Sequence, residues 1–126
     1  MNNQKNTDAL KQDIIINLEN SKAKDIVTID LAEISDICNY MIIASGTSDR
    51  HVKSIADKLT YDLKHHKSQK IYYTSEGLDL GKWVLIDTIS IIIHIFQPEI
   101  RDFYNLEELW DKNNNRKNIT TNKKTK

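Results

Sequence analysis

Trp83-Val84-Leu85-Ile86-Asp87-Thr88-Ile89-Ser90-Ile91-Ile92-Ile93-His94-Ile95-Phe96 consists of two strand-forming runs on either side of Ile89-Ser90. Runs rich in β-branched residues with so short a connection predict a β-hairpin. With Ile89 and Ser90 as a two-residue loop, Trp83 faces Phe96, Leu85 faces His94 and Asp87 faces Ile92. Alternation along a strand then gathers Val84, Ile86, Thr88, Ile91, Ile93 and Ile95 on one side. That side is nearly all aliphatic and belongs in a core. The other side holds Trp83, Leu85, Asp87, Ile92, His94 and Phe96. Large aromatics mixed with an acid and an imidazole have the composition of a partly exposed protein-binding surface.

Beyond the hairpin the period changes. Pro98 suits the first position of a helix, and Glu99 stands near its positive end. Ile100, Phe103, Leu106 and Trp110 recur at helical spacing, with Tyr104 at the stripe's edge. Asn105 and Glu108 also have the spacing of a capping pair, and the sequence leaves open whether the helix runs on to Trp110 or breaks and restarts at Asn105.

Upstream, a helix is expected from Thr7, with Leu10, Ile14, Ile15 and Leu18 as its buried stripe. Asp25 to Leu31 predicts a strand with Val27, Ile29 and Leu31 inward and a wetter opposite face. Tyr40 to Ala44 predicts a second strand, closed by Ser45-Gly46-Thr47. Thr47 or Ser48 can cap the following helix, whose stripe is Val52, Ile55, Ala56, Leu59 and Leu63. Lys70 to Ser75 predicts a short strand, followed by a loop from Glu76-Gly77 to Lys82. The order implies an α/β domain, a single mixed β-sheet of about five strands with helices mainly on one face. Residues 1–6 are expected to be frayed, 7–111 to form the domain and 112–126 to be a disordered basic tail.

At 126 residues the chain has the length of one domain. Its 18 Lys and Arg balance 18 Asp and Glu, so bulk charge favours neither nucleic acid nor membrane. Cys38 alone can form no internal disulfide and no cysteine zinc cluster. The lack of an apolar span or a signal-like start predicts a soluble protein of the reducing cytoplasm. His51 and His94 lack the third ligand a metal site needs, and no neighbour in sequence lowers the pKa of Cys38. Neither a metal nor another cofactor is expected. Gly46-Thr47-Ser48 opens a helix and could hold an anion, which makes a nucleotide-binding or nucleotidyltransferase enzyme the alternative reading. Two-metal transfer needs converging carboxylates, and Ile71-Tyr72-Tyr73-Thr74 offers none; Asp87 stands alone.

From Leu10 to Trp110 the motifs resemble the ribosomal silencing factors, also known as the Iojap family. The resemblance rests first on Asp25-Ile26 with Asp30, then on Tyr40-Met41-Ile42-Ile43 and Gly46-Thr47-Ser48-x-Arg50-His51, followed by Ile55-Ala56-Asp57. It continues through Glu76-Gly77, Trp83 to Asp87, Ile93-His94-Ile95, Glu99-x-Arg101-x-x-Tyr104 and Leu106 to Trp110. Three departures stand out: Asn39 where the family usually has aspartate, Ile89-Ser90 in place of Gly-Asp, and the basic tail. The resemblance implies a nucleotidyltransferase-like fold without catalytic carboxylates, hence no enzyme. It further implies binding to the large ribosomal subunit through the ribosomal protein numbered fourteen, steric block of small-subunit association, and lowered translation. A role in large-subunit assembly and a homodimer of the free protein are also implied. On this reading the docking surface comprises Trp83, Asp87, His94, Arg101 and Tyr104, with Thr47, Arg50 and His51 as a second edge. The tail's lysines read first as solvated charge, with a weak contact to ribosomal RNA phosphates as the alternative the sequence leaves open.

Overall fold

A computed structural model describes residues 3–33, 36, 38–67, 69–108 and 119–121, with 3–5 and 119–121 described by their backbone. Among the described residues the elements follow in the order α1 (Asn3–Asn20), β1 (Lys24–Asp30), β2 (Tyr40–Ser45), α2 (Asp49–Lys64), β3 (Thr74–Glu76), β4 (Trp83–Asp87), β5 (Ile91–Phe96), α3 (Pro98–Tyr104) and β6 (Ile119–Thr121). The sheet order is β3-β4-β5-β2-β1-β6. Among the described residues β2 and β5 run parallel, and the other neighbouring pairs are antiparallel. Among the described residues no helix is long and apolar enough to cross a membrane.

The larger core lies between one sheet face and the helices α1 and α2. Leu10, Ile14 and Leu18 meet Val52, Ile55, Ala56, Leu59 and Leu63 there, over Ile42, Ala44, Val84, Ile86, Ile91, Ile93 and Ile95. Ser48 caps α2 by accepting the His51 N–H at 3.1 Å. On the opposite face α3 covers a smaller core of Val27, Ile29, Leu31, Cys38, Met41, Ile43 and Phe96, with Trp83, Ile92, Ile100 and Leu106 against it. Helices therefore lie mainly on one face, with the short α3 alone on the other.

The hairpin has the register its alternation predicts, from Trp83 opposite Phe96 to Asp87 opposite Ile92. Its turn is unusual in chemistry. Ile89 takes φ 81, a conformation that favours glycine and burdens a β-branched residue. The Asp87 carboxylate accepts the Ile89 N–H at 2.8 Å, and Thr88 donates its N–H to the Ile91 carbonyl at 2.9 Å. These bonds hold the turn against its strain. Ile89 is 70% exposed and forfeits little burial on substitution. Ile89→Gly is therefore expected to stabilise the protein by about 1 kcal/mol, seen as a higher urea midpoint. A lower midpoint would mean that the isoleucine side chain contributes more than its backbone costs.

Four local expectations are corrected. Helix α1 starts at Asn3, not Thr7, so residues 3–6 are helical rather than frayed; polar residues extend a helix whose apolar stripe is already docked. The face of β1 expected to be wetter is covered, with Ile26 and Thr28 buried. The reason is that helices close both sides of the sheet. The strand expected at Lys70–Ser75 forms later, at Thr74–Glu76, because Thr74 is the first residue to find a partner, Asp87, in β4. Finally, the tail expected to be disordered contributes β6, in which Ile119, Thr120 and Thr121 pair with Ile29, Thr28 and Val27. Without that pairing the outer edge of β1 has no strand beside it, and Ile-Thr-Thr is β-branched throughout. The remainder of 112–126 lies outside the described residues, as does Trp110.

Candidate functional site

Strand β4, strand β5 and helix α3 converge on an aromatic cluster. Trp83 stacks on Phe96 with ring centroids 4.8 Å apart, and Tyr104 meets it at 4.7 Å. Phe103 stands edge-on to Tyr104 at 5.0 Å. Phe103 is 79% exposed and Tyr104 is 50% exposed. The cluster is thus rooted in the smaller core and open to solvent at its rim. An exposed group of large rings on a firm base is the composition of an interface centre.

Phe103 was expected in the buried stripe of its helix. The structure leaves it outward, because the buried side of α3 is taken by Arg101; the helix then ends at Asn105, which has φ 47 and donates its N–H to the Arg101 carbonyl at 2.7 Å. Helical backbone resumes at 106–108, and the Asn105 side chain bonds Glu108 at 2.5 Å. The helix therefore breaks at Asn105, a point its capping spacing leaves open. Because of the break, Leu106 reaches the core without continuing the line through Phe103.

Arg101 takes the inward place and is 6% exposed. Its guanidinium donates to Ser45 Oγ at 2.7 Å and to Glu107 Oε2 at 2.7 Å. Those bonds tie α3 to the end of β2 and to the segment after the helix break. Arg101 is therefore a support under the surface, where the sequence placed it among the docking contacts. Removing it would leave Glu107 and Ser45 without their partner.

His94 is also beneath. Its Nδ1 accepts the Trp83 Nε1–H at 3.0 Å, which fixes the indole's orientation and leaves the imidazole proton on Nε2. Burial lowers the His94 pKa from its ordinary 6.5 to about 4. The sign follows directly. The unfolded chain takes up this proton at a higher pH than the folded one, so stability is fully present above about 6.5 and falls as pH drops toward 4. Protonating Nδ1 also turns the acceptor for Trp83 into a donor. Between pH 7.5 and 5 the expected loss from this group is about 2 kcal/mol in urea unfolding. His94→Gln should flatten that dependence, since an amide oxygen can accept the indole N–H without titrating. An equally steep dependence in the variant would refute the assignment.

Asp87 is half-buried on the same face, and its carboxylate serves the turn. Cys38 is buried close by; desolvation first, and the Asp87 charge second, push its thiol pKa up. It is a packing residue with little thiolate character.

The second predicted edge, Thr47, Arg50 and His51, comes from the β2–α2 turn. His51 Nδ1 accepts the Thr47 N–H at 2.9 Å, while its Nε2 lies 3.0 Å from the Ser21 carbonyl. His51 is thus a brace between the start of α2 and the α1–β1 turn. The Gly46 N–H goes to the Phe96 carbonyl at 2.9 Å, and a Cβ there would lie 2.8 Å from Val52 Cγ2. This glycine lets α2 approach the sheet, and two N–H groups that could have cradled an anion are used within the fold. Among the described residues no three His, Cys, Asp or Glu side chains gather to hold a metal.

Register joins the two edges. Trp83 faces Phe96, Phe96 faces Ser45, and Ser45 faces Lys24. One end of the sheet therefore carries the aromatic cluster, the Arg101 support and the start of α2.

The family described as "Ribosomal silencing factor during starvation" matches residues 4–126. The chain belongs to that ribosomal silencing factor family, and so among regulators of translation. It is 47% identical over 95 residues to the ribosomal silencing factor RsfS of Zymomonas mobilis, covering 74% of this chain and 68% of that one. It is 36% identical over 94 residues to "Mitochondrial assembly of ribosomal large subunit protein 1" of Mus musculus, covering 74% of this chain and 41% of the mouse protein. A crystal structure of a Chromobacterium violaceum protein aligns with TM-score 0.77 at 34% identity, over 82% of this chain and 84% of that one.

Proposed function

We propose that this protein binds the large ribosomal subunit through the ribosomal protein numbered fourteen and, seated there, blocks association of the small subunit. Translation falls because the joining surface is occupied, and no catalytic step is involved. The observation that carries this reading is the Trp83–Tyr104–Phe103 cluster, exposed at its rim and held from below by His94 and Phe96. Rings already fixed by the fold lose little freedom on docking, which favours affinity. Family membership supplies the ribosomal partner, and the mouse relative supports a further part in large-subunit assembly. In the cytoplasm, away from the ribosome, the same apolar rim gives two copies a reason to associate. The commitment of the Gly46 and Thr47 N–H groups supports occlusion over nucleotide transfer.

Sedimentation of the purified protein with separated subunits tests the reading. Co-migration with the large subunit alone, and fewer joined ribosomes as the protein is added, are expected. Co-migration with the small subunit, or joining unaffected at saturation, would contradict it.

A further inference from the structure

Helices α1 and α2 leave a cavity of about 360 Å³ between them, on the side of the sheet away from the aromatic cluster. Its inner wall is apolar, formed by the buried Leu10, Ile14, Leu59 and Leu63. Its rim is polar, with Asp13 and Asn17 from α1, Asp62 from α2 and His66 just beyond that helix. Neither the docking surface nor the Gly46 turn uses any of these four polar side chains.

The hydrogen bonds of the rim fix what is left over. Asn17 donates from Nδ2 to Asp62 Oδ2 at 2.5 Å, which ties the two helices together and makes Oδ1 the free end of the amide. That Oδ1 is buried and has no partner among the described residues. His66 Nε2 lies 3.0 Å from Asp13 Oδ2. An ionised carboxylate only accepts, so Nε2 carries the hydrogen and Nδ1 of the neutral ring is a bare acceptor. It too is buried without a partner among the described residues. The two buried side-chain atoms left unpaired among the described residues thus belong to this one cavity, and both are acceptors. Such a pair costs free energy until N–H groups answer it.

The charges agree. Asp13 and Asp62 are exposed, and among the described residues neither pairs with a lysine or an arginine. Lys67 also lines the cavity, but it is exposed and enters no salt bridge among the described residues. Asp13 and Asn17 are neighbours on one helix face, about 5–6 Å apart at Cβ. Asp62 is bonded to Asn17, so the two carboxylates stand about one helical turn apart over an apolar base. Cationic nitrogens joined by a short hydrocarbon chain match that arrangement, donating at each end and burying methylene groups between.

We propose that this cavity binds an aliphatic diamine or polyamine, its ammonium groups held by Asp13 and Asp62 and by the acceptors of Asn17 and His66. The inference is independent of the ribosome-binding reading. The amine and the ribosomal partner take opposite sides of the sheet, so one leaves the other's surface open. By bridging α1 to the end of α2 the amine stabilises the folded chain.

The test is isothermal titration of the full chain with spermidine, alongside magnesium chloride as a cation without hydrocarbon. Saturable uptake of about one spermidine per chain is expected, with a Tm that rises as spermidine is added. Magnesium at matched ionic strength should produce neither. Asp13→Asn and Asp62→Asn should each weaken uptake by at least about tenfold. Asp57→Asn removes an exposed carboxylate of α2 outside the cavity and should bind as wild type does. Asp13, with its side chain 56% exposed, keeps the comparison decisive if loss of the Asn17 bond unfolds Asp62→Asn. No saturable uptake by wild type, or an equal response to magnesium, would overturn the site. An equal loss in Asp57→Asn would also overturn it, by showing diffuse attraction to the helix surface. Full uptake by a folded Asp13→Asn would do the same.

Discussion

Gly77→Ala is expected to destabilise the protein by at least about 3 kcal/mol, one of the larger effects of a single added methyl group. Gly77 has φ 90, and a Cβ built there would lie 2.1 Å from the Trp83 carbonyl oxygen and 3.4 Å from Val84 Cα. Both obstacles are backbone, so no side chain can rotate away. Relief requires either Gly77 to leave its conformation or β4 to move. Strand β4 is hydrogen-bonded on both sides, to β3 and β5, and its inward residues Val84 and Ile86 are fully buried. The left-handed conformation adds about 1–2 kcal/mol for any residue with a Cβ. The site should suffer with the fold, since the displaced atoms belong to Trp83. Urea unfolding reads the stability and tryptophan emission reads the indole's surroundings. A variant as stable as wild type would show that the β3–β4 loop relaxes more cheaply than this geometry permits.

Much of the fold was legible because hydrophobic period and local chemistry agreed. The hairpin register followed from alternation around Ile89-Ser90, even though isoleucine is a poor choice at φ 81. There the aliphatic stripe on six core-facing positions outweighed the turn's preference. The stripe of α2 followed from spacing in the same way. What escaped depended on neighbours distant in sequence. Periodicity assigns Ile26 and Thr28 to a face of β1 without saying that the face is covered. Nothing local to Ile119-Thr120-Thr121 tells that the edge of β1 lies open to it. Within the site, the sequence brought Trp83 and Tyr104 together through the hairpin and the proline turn, and the structure places their rings in contact. It could not separate the groups that show from those that support. Arg101 and His94 are charged or polar in composition, yet each spends its hydrogen bonds inside the fold. Phe103, apolar in composition, is the ring most exposed.

Loss of the aromatic cluster should have the largest effect on function. Trp83→Ala or Tyr104→Ala is expected to weaken binding to the large subunit by at least about tenfold, or about 1.4 kcal/mol. Interface energy concentrates in a few central aromatic side chains, often about 2 kcal/mol or more on truncation. Trp83 is central here, touching Phe96 and Tyr104 and taking its orientation from His94. Tyr104, half exposed at the end of α3, can be truncated with little cost to the core. Inhibition of subunit joining should fall in proportion, since occlusion depends on occupancy alone. Ile93→Ala behaves differently: it is fully buried on the opposite face of the sheet and should cost about 2–5 kcal/mol of stability while the folded fraction binds normally.

The most direct measurement is co-sedimentation of a Trp83→Ala, Tyr104→Ala double variant with purified large subunits, once its circular dichroism melt shows it folded. Binding should be lost at protein concentrations that saturate with wild type, and subunit joining should proceed unhindered. Full binding by the folded double variant would contradict the account, because the partner would then be held by another face.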